Sequence, residues 1–213
     1  MPARGLFVSV EGIEASGKST LLGGLAAWLQ ARGRAVVVTR EPGGTPLGEA
    51  VRALFLEPGR HVCAEAEALL MNAARAQHVA DVIEPALAEG AWVLCDRFAT
   101  ATLAYQGYGR GLELETLQNI ARFATAGVEP DVVLLVDVPP EVSHERVVAR
   151  AAASGQGEDR LELENAAFHA RVRDGYLALA REDARIRVLD GTRPPQALLA
   201  DAARILGAAA LAT

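Results

Sequence analysis

Residues 12–19 read G-I-E-A-S-G-K-S and fit the pattern G-x-x-x-x-G-K-[S/T]. A short apolar run at 5–10 precedes them, and residues 19–32 follow with apolar side chains at helical spacing. In a strand–loop–helix unit of this kind, backbone N–H groups and the positive end of the helix dipole surround a bound anion. A glycine turn that merely opens a helix is the alternative, but the flanking strand and helix favour a phosphate-binding loop.

The lysine and the hydroxyl residue that end the pattern carry its chemistry. Lys18 can reach the β- and γ-phosphates of a nucleoside triphosphate, and the Ser19 hydroxyl can bind Mg²⁺. We therefore predict that the nucleotide donor binds to Gly12, Ile13, Glu14, Ala15, Ser16, Gly17, Lys18, Ser19 and Thr20.

Further apolar runs at 35–39, 91–95, 132–138 and 186–189 alternate with helical patterns at 47–56, 64–88, 114–125, 141–153, 161–180 and 195–206. The pattern at 64–88 breaks near Pro85. Strands that are apolar throughout, such as 35–39, indicate buried strands of a parallel sheet. We expect an α/β protein with the three-layer P-loop NTPase fold, a five-stranded parallel sheet flanked by helices, in one domain over residues 1–213. Ligands of such sheets bind beyond the carboxyl ends of the strands.

The composition argues against several classes of protein and of site. Twenty of the 21 basic residues are arginine and the single lysine is Lys18, so a protein kinase with a separate strand lysine is excluded. The net charge of −6 argues against a broad surface for nucleic acid or an anionic membrane. Cys63 and Cys95 lack the spacing of a zinc site or redox pair. No apolar run reaches transmembrane length, and we expect a soluble intracellular protein.

A triphosphate and an acceptor phosphate bring more negative charge into one cleft than one lysine and Mg²⁺ can balance. Arginines should therefore converge on the site, because a planar guanidinium binds phosphate oxygens in a bidentate way and stays charged. The candidates are Arg97 after the third strand and Arg146, Arg150 and Arg160 around the glycine-rich segment 154–157. A solvated helix face is an equally good interpretation of Arg146 and Arg150.

Four further segments narrow the acceptor: T-R-E-P-G-G-T at 39–45, A-A-R-A-Q at 73–77, D-R-F at 96–98 and A-Y-Q-G at 104–107. Together with the phosphate-binding loop, their order and spacing resemble the bacterial thymidylate kinases over about residues 6–195. The resemblance implies transfer of the γ-phosphoryl group of ATP to thymidine monophosphate (dTMP), giving the diphosphate (dTDP). It also implies a cytoplasmic homodimer packed through alanine-rich helices.

The same resemblance implies roles around the phosphates. Arg97 would grip the acceptor phosphate, and Asp96 and Ser19 would hold Mg²⁺, partly through water. A phosphate-binding loop without arginine resembles the bacterial subtype that supplies its catalytic arginine from a lid, here at about residues 150–160. The implied catalytic set is Lys18, Arg97, Arg150, Arg160 and Glu14.

Around the nucleoside, the resemblance assigns Glu14 to the sugar 3′-hydroxyl and Arg75 to the O4 atom of thymine. A donor at that place rejects cytosine, whose amino group is itself a donor. Tyr105 would close the space beside C2′ and disfavour ribose. Glu41, Pro42, Met71, Thr102 and Gln106 complete the implied substrate contacts, with Thr102 and Gln106 at the base edge.

Two positions depart from the family pattern. Met71 stands where the family usually has a phenylalanine on thymine, and a thioether gains roughly 0.3–1.5 kcal/mol against a ring. Phe98 follows the D-R pair where tyrosine is common. Arg40 and Glu41 have an alternative interpretation as a turn ion pair. Two other functions stay open: a small P-loop kinase with a different acceptor, and a regulatory ATP-binding protein that uses the fold as a switch.

Overall fold

The computed structural model describes residues 4–155, 157 and 159–210 as alternating strands and helices. The strands are β1 (Phe7–Glu11), β2 (Val36–Arg40), β3 (Trp92–Asp96), β4 (Val132–Asp137) and β5 (Ile186–Asp190). The helices are α1 (Lys18–Gln30), α2 (Pro46–Leu56), α3 (Ala64–His78), α4 (Glu84–Ala88), α5 (Ala99–Thr102), α6 (Leu114–Thr125), α7 (Pro140–Ser154), α8 (Ala166–Glu182) and α9 (Pro195–Ala209). Two π-helical segments, Val79–Ile83 and Leu103–Gly109, join α3 to α4 and extend α5.

The five strands form one parallel sheet in the order β2-β3-β1-β4-β5. On one face, Leu25 of α1 and Leu206 of α9 pack with Leu94 and Leu134 of the sheet. On the other face, side chains of α8 and of the π-helical segment after α5 pack on β4. The predicted three-layer α/β fold is therefore confirmed, with helices on both faces of the sheet.

The strand register determines where the site can form. Val10 of β1 and Arg40 of β2 both lie level with Asp96 of β3. The carboxyl ends of these three strands therefore lie side by side at the same end of the sheet, and the loops that follow them share one cleft.

The prediction that β2 is a buried strand is wrong. β2 lies at the edge of the sheet, and 51% of Val38 is exposed to solvent. An apolar run cannot distinguish a central strand from an edge strand, because that difference depends on what covers the strand.

Two helical regions also differ from the sequence-based expectation. The helix expected at 161–180 begins only at Ala166, where the Asn165 side chain accepts a hydrogen bond from the Phe168 N–H. The helical stretch from Ala99 to Gly109 was not predicted, since its glycines disfavour a helix. Packing explains it: a Cβ on Gly109 would lie 2.8 Å from the Phe168 ring, so α8 approaches this segment closely.

The predicted break near Pro85 takes the form of a π-helical turn. α3 ends at His78, Val79–Ile83 is π-helical, and α4 begins at Glu84 with Pro85 in its first turn, so the chain stays helical but the regular α-helical hydrogen bonding is interrupted. Within the described ranges, no helix is long and apolar enough to cross a membrane.

Candidate active site

The loop between β1 and α1 surrounds the Lys18 ammonium. Gly12 has a φ of 139°, and a Cβ there would lie 2.4 Å from the Val136 carbonyl oxygen, so the position requires glycine. Lys18 Nζ donates to the carbonyl oxygens of Gly12 (3.2 Å) and Ile13 (2.8 Å). Burial, together with the nearby charge of Arg97, lowers the pKa of Lys18 to about 8. The Lys18 ammonium is therefore hydrogen-bonded to carbonyl oxygens of the loop. The oxygens of a phosphate group can take the place of these carbonyl oxygens as its acceptors.

One cavity of about 490 Å³ joins this loop to the residues predicted for the acceptor. A volume of this size is typical of small-molecule sites. The predicted residues that line it are Glu14, Ala15, Ser16, Gly17, Lys18, Ser19, Thr20, Glu41, Pro42, Met71, Arg75, Asp96, Arg97, Thr102, Tyr105, Gln106 and Arg150. Arg40 and Arg52 also line it, and the sequence did not single them out as site residues.

The two residues predicted to hold Mg²⁺ lie together at the sheet edge. Ser19 Oγ donates to Asp96 Oδ2 across 3.3 Å. A hydroxyl and a carboxylate supply the oxygen donors that Mg²⁺ prefers, and Mg²⁺ commonly keeps several waters and binds phosphates besides. These two residues fit that pattern. The described part of the chain contains no group of three or more His, Cys, Asp or Glu residues able to hold a metal by themselves.

Arg97 connects the phosphate-binding loop to the acceptor side. It directly follows β3 with a φ of 70°, in the left-handed region that a non-glycine residue adopts at a cost. Its Nη1 donates to the Gly12 carbonyl oxygen at 2.7 Å and its Nη2 to Glu14 Oε1 at 3.0 Å. Its guanidinium also lies 4.8 Å from the centre of the Tyr105 ring.

Glu14 lies at the centre of the acceptor-side network. Its Oε1 accepts hydrogen bonds from the Tyr105 hydroxyl at 2.6 Å and from Arg97. Burial alone would raise the pKa of this carboxyl, but Arg97, His169, Lys18 and Tyr105 together lower it to about 2. A carboxylate that stays ionised at all physiological pH values can only accept hydrogen bonds, which suits a contact with a sugar hydroxyl.

Arg75 is held by four hydrogen bonds in a buried position. Its Nε donates to Glu41 Oε2 (2.7 Å), its Nη1 to Asn72 Oδ1 (2.9 Å), and its Nη2 to the Phe98 carbonyl oxygen and Thr102 Oγ1 (both 3.1 Å). A guanidinium has five N–H groups, so one N–H on Nη1 remains for a ligand among the residues that the structure describes.

The alternative interpretation of Arg40 and Glu41 as a turn ion pair is wrong. Arg40 Nη2 binds Glu49 Oε2 at 2.9 Å on the surface, whereas Glu41 is buried and binds Arg75.

Of the other residues predicted to contact the substrate, Met71 and Gln106 are buried and Pro42 is partly buried. Met71 lies one helical turn before Arg75 on α3 and is 8% exposed. Gln106 Nε2 donates to Glu67 Oε2 at 3.1 Å, which fixes its amide. Pro42 lines the cavity, and its carbonyl oxygen accepts from Arg52 Nη1 at 3.2 Å.

Sequence comparisons agree with this geometry. A sequence model of the family described as thymidylate kinase matches residues 10–202. The chain belongs to the thymidylate kinase family. It is 50% identical to a thymidylate kinase of Carboxydothermus hydrogenoformans over 91% of this chain and 92% of that protein. It is 48% identical to a thymidylate kinase of Nitratidesulfovibrio vulgaris over 96% of this chain and 93% of that protein. A thymidylate kinase of Methylococcus capsulatus is 51% identical over 89% of each chain.

The two arginines predicted for the lid of this thymidylate kinase family member lie in different surroundings. Arg150 lines the cavity, is half exposed and forms an ion pair with Glu162. Arg160 lies outside the cavity lining: its Nη1 donates to Glu67 Oε1 at 2.6 Å and its Nε to the Phe55 carbonyl oxygen at 2.8 Å. Residues 156 and 158 of the predicted lid lie outside the described residues.

Arg146 is not on a solvated helix face. It lies behind the phosphate-binding loop, where Nη1 donates to the Ser16 carbonyl oxygen at 3.3 Å and Nη2 to the Gly191 carbonyl oxygen at 3.0 Å. A second cavity, of about 350 Å³, is lined by the loop, Arg146, Gly191, Arg193 and Pro195. The sequence did not indicate the last three of these, because they come after β5 and far along the chain.

Two further ionisable residues of the site were also not predicted. His169 Nδ1 lies 3.4 Å from Glu14 Oε2, and although burial lowers the pKa of this histidine, Glu14 raises it above its usual value. Glu11 is fully buried at the end of β1 and accepts from the Phe98 N–H and the Tyr176 hydroxyl. Burial raises the pKa of Glu11 to about 7. Glu11 directly precedes the phosphate-binding motif but is not part of its pattern, and His169 lies in no motif, so only the fold brings them against Phe98, Tyr176 and Glu14.

Proposed function

We propose that this protein transfers the γ-phosphoryl group of ATP to dTMP and releases ADP and dTDP. The observation that carries the proposal is that one and the same cavity is lined by Lys18 of the phosphate-binding loop and by the Arg75–Glu41 pair. Such a cavity holds donor and acceptor together, which is the main requirement of phosphoryl transfer. Membership of the thymidylate kinase family supports dTMP as the acceptor.

On the donor side, the loop N–H groups and Lys18 bind the β- and γ-phosphates. When bound, Mg²⁺ neutralises charge on the phosphate oxygens, and Ser19 and Asp96 would hold it, partly through water. The second cavity, beside Arg146 and Arg193, is open to the loop at Ser16 and Gly17 and suits the nucleoside part of ATP.

On the acceptor side, Arg97 binds the phosphate of dTMP and Glu14 accepts from the 3′-hydroxyl. The free N–H of Arg75 donates to O4 of thymine, while Thr102 and Gln106 contact the base edge and Met71 packs on the ring. Tyr105 fills the space beside C2′, which disfavours a ribose hydroxyl. Glu41 and Pro42 close the pocket on the β2 side.

Transfer then proceeds in line, without a covalent intermediate, through positioning and charge neutralisation. Arg150 is the lid arginine that we assign to the transferred phosphoryl group, because it lines the cavity, is half exposed and has a single ion pair, with Glu162, among the residues that the structure describes. Closure of the lid excludes water and so prevents ATP hydrolysis. Arg160 would reach the phosphates only after leaving Glu67 and Phe55.

A regulatory ATP-binding protein is the weaker alternative, because a switch has no use for a second pocket with its own arginines. A small kinase with another acceptor would need a different partner for Arg75. A coupled assay of ADP release separates these functions when ATP is offered with dTMP, dUMP, dCMP, dGMP or dAMP, or with no acceptor. We expect rapid turnover with dTMP and little with the other nucleotides or with ATP alone. Turnover with none of them would support the switch, and preference for another nucleotide would support the other kinase.

We also propose a cytoplasmic homodimer that forms through α3 and α6. These helices pack side by side and expose Leu69 (58%) and Phe123 (90%), large apolar side chains that a second copy would cover. Light scattering coupled to size-exclusion chromatography should give twice the chain mass, and Phe123→Asp should give one chain mass. A monomeric wild-type protein would contradict the proposal.

A further inference from the structure

A series of side-chain contacts connects Thr39 of the edge strand β2 to Arg75. Thr39 Oγ1 lies 2.6 Å from His78 Nε2, and His78 Nδ1 lies 2.9 Å from Glu41 Oε1. The other carboxylate oxygen of Glu41 accepts from Arg75 Nε at 2.7 Å. His78 is 0% exposed, Arg75 2% and Glu41 6%. This series of contacts links β2, the loop after it and the end of α3 in the interior of the protein.

The partner of Nδ1 determines which ring nitrogen carries an N–H group toward Glu41. A carboxylate can only accept a hydrogen bond, so the N–H group lies on His78 Nδ1 and donates to Glu41. With the N–H on Nδ1, Nε2 can accept a hydrogen bond from the Thr39 hydroxyl.

Gly44 shows that the surrounding backbone is fitted to this pair. It has a φ of 75°, and a Cβ there would lie 2.6 Å from both His78 Nε2 and Thr39 Oγ1. No side chain can occupy that space while the pair is in place. Three residues of the T-R-E-P-G-G-T segment, Thr39, Glu41 and Gly44, therefore contact or accommodate the same histidine.

We infer that His78 is a positioning residue for base selection: it orients the Glu41 carboxylate, which in turn orients the Arg75 guanidinium. Each carboxylate oxygen of Glu41 has one of these two side chains as its partner, so Glu41 can rotate only if one bond breaks. Rotation would release Arg75 Nε and turn the single free N–H on Nη1. The inference rests on the proposed function, in which that N–H contacts the base.

The test uses two substitutions that separate the two ring nitrogens. In His78→Asn the side-chain amide nitrogen falls near the position of Nδ1 and can still donate to Glu41. In His78→Gln it falls near Nε2 and cannot. We expect His78→Gln to raise the KM for dTMP about tenfold, as for loss of a buried bond to a charged group, with the KM for ATP within about twofold of wild type. His78→Asn should recover most of the affinity, and His144→Gln, on the exposed face of α7, serves as the control.

A second pair of variants keeps the test informative if His78→Gln does not fold. Thr39→Val removes the hydroxyl and should raise the KM for dTMP about threefold, whereas Thr39→Ser keeps the hydroxyl and should leave it near wild type. In addition, ¹⁵N spectra of the histidine rings in the full-length protein, assigned with His78→Asn, should show His78 protonated at Nδ1.

Several results would overturn the inference. They are an unchanged KM for dTMP in both His78→Gln and Thr39→Val, equal effects of His78→Asn and His78→Gln, a parallel rise in the KM of both substrates, or a His78 ring without a proton on Nδ1. Failure of the proposed function would look different, because the wild-type protein would then not phosphorylate dTMP at all.

Discussion

The donor and acceptor parts of the cavity are built in different ways. The donor part is one continuous segment in which Lys18 bonds to carbonyl oxygens five and six residues before it. In the acceptor part, side chains far apart in sequence hold one another: Arg75 and Glu41 are 34 residues apart, and Tyr105 and Glu14 are 91 apart. The placement of the Lys18 ammonium at the donor phosphates therefore depends on local backbone geometry, whereas acceptor selection depends on the whole fold. The following variants test this difference, from the largest expected effect to the smallest.

Lys18→Met should nearly abolish transfer. It removes the only ammonium of the loop, and loss of a comparable charge-stabilising group costs about 10²- to 10³-fold in kcat or more. Circular dichroism should show an unchanged fold, since β1 and α1 pack independently of this side chain. Turnover near the wild-type rate would refute the donor site.

Substitution of the two lid arginines should separate chemistry from folding. Arg150→Ala should lower kcat by about 10²-fold with a smaller fall in melting temperature than Arg160→Ala, because Arg150 lines the cavity and its side chain is 53% exposed, against 10% for Arg160. Arg160→Ala should lower the melting temperature and affect kcat less, because it leaves one oxygen of the buried Glu67 with fewer donors. Arg204→Ala, exposed on α9, is the matched control. If Arg160→Ala alone lowered kcat strongly, the assignment of Arg150 would be wrong.

Tyr105 should affect the choice of sugar through its ring and dTMP affinity through its hydroxyl. Tyr105→Ala should reduce the preference for dTMP over the ribonucleotide by roughly tenfold, since the space beside C2′ opens. Tyr105→Phe should keep that preference but raise the KM for dTMP a fewfold, because Glu14 loses a donor at 2.6 Å. Unchanged selectivity in the alanine variant would remove Tyr105 from the sugar pocket.

The buried ammonium of Lys18 should also appear in the pH dependence of stability. Its pKa is about 8 in the folded protein against 10.5 for an exposed lysine, so the unfolded chain binds more protons between these values. Wild-type stability should therefore rise relative to Lys18→Met as the pH increases from 8 to 10.5, by roughly 3 kcal/mol. Urea unfolding of both proteins across this range measures it. A constant difference would mean that Lys18 titrates normally.

The same contrast explains how much could be predicted from the sequence. The phosphate-binding loop, the five parallel strands and the helix Leu114–Thr125 follow from local pattern, because apolar periodicity and glycine spacing are local properties. The helical stretch at 99–109 and the late start of α8 depend on packing between distant segments, as Gly109 against Phe168 illustrates. Glu11 and His169 were not predicted because the phosphate-binding pattern begins one residue after Glu11 and because His169 is an isolated residue that reaches Glu14 only in the fold.

The acceptor residues were predicted only through resemblance to a family. Composition and spacing placed arginines near the phosphates, but they did not indicate that Glu41 would bind Arg75 instead of its neighbour Arg40. Nor did they indicate that Arg160 would pair with Glu67. In both cases the partner is set by burial, which a sequence without its fold does not specify.

The most direct test of the account compares kcat/KM for dTMP and dCMP in the wild-type protein and in Arg75→Lys. Lysine keeps a positive charge beside Glu41, so the buried carboxylate stays paired and the fold survives, but the planar fork and its free N–H are lost. We predict that the wild-type protein strongly prefers dTMP and that the variant loses most of this preference, mainly through a higher KM for dTMP, while the KM for ATP stays nearly constant. An unchanged ratio of the two kcat/KM values would contradict the assignment of Arg75 to the base.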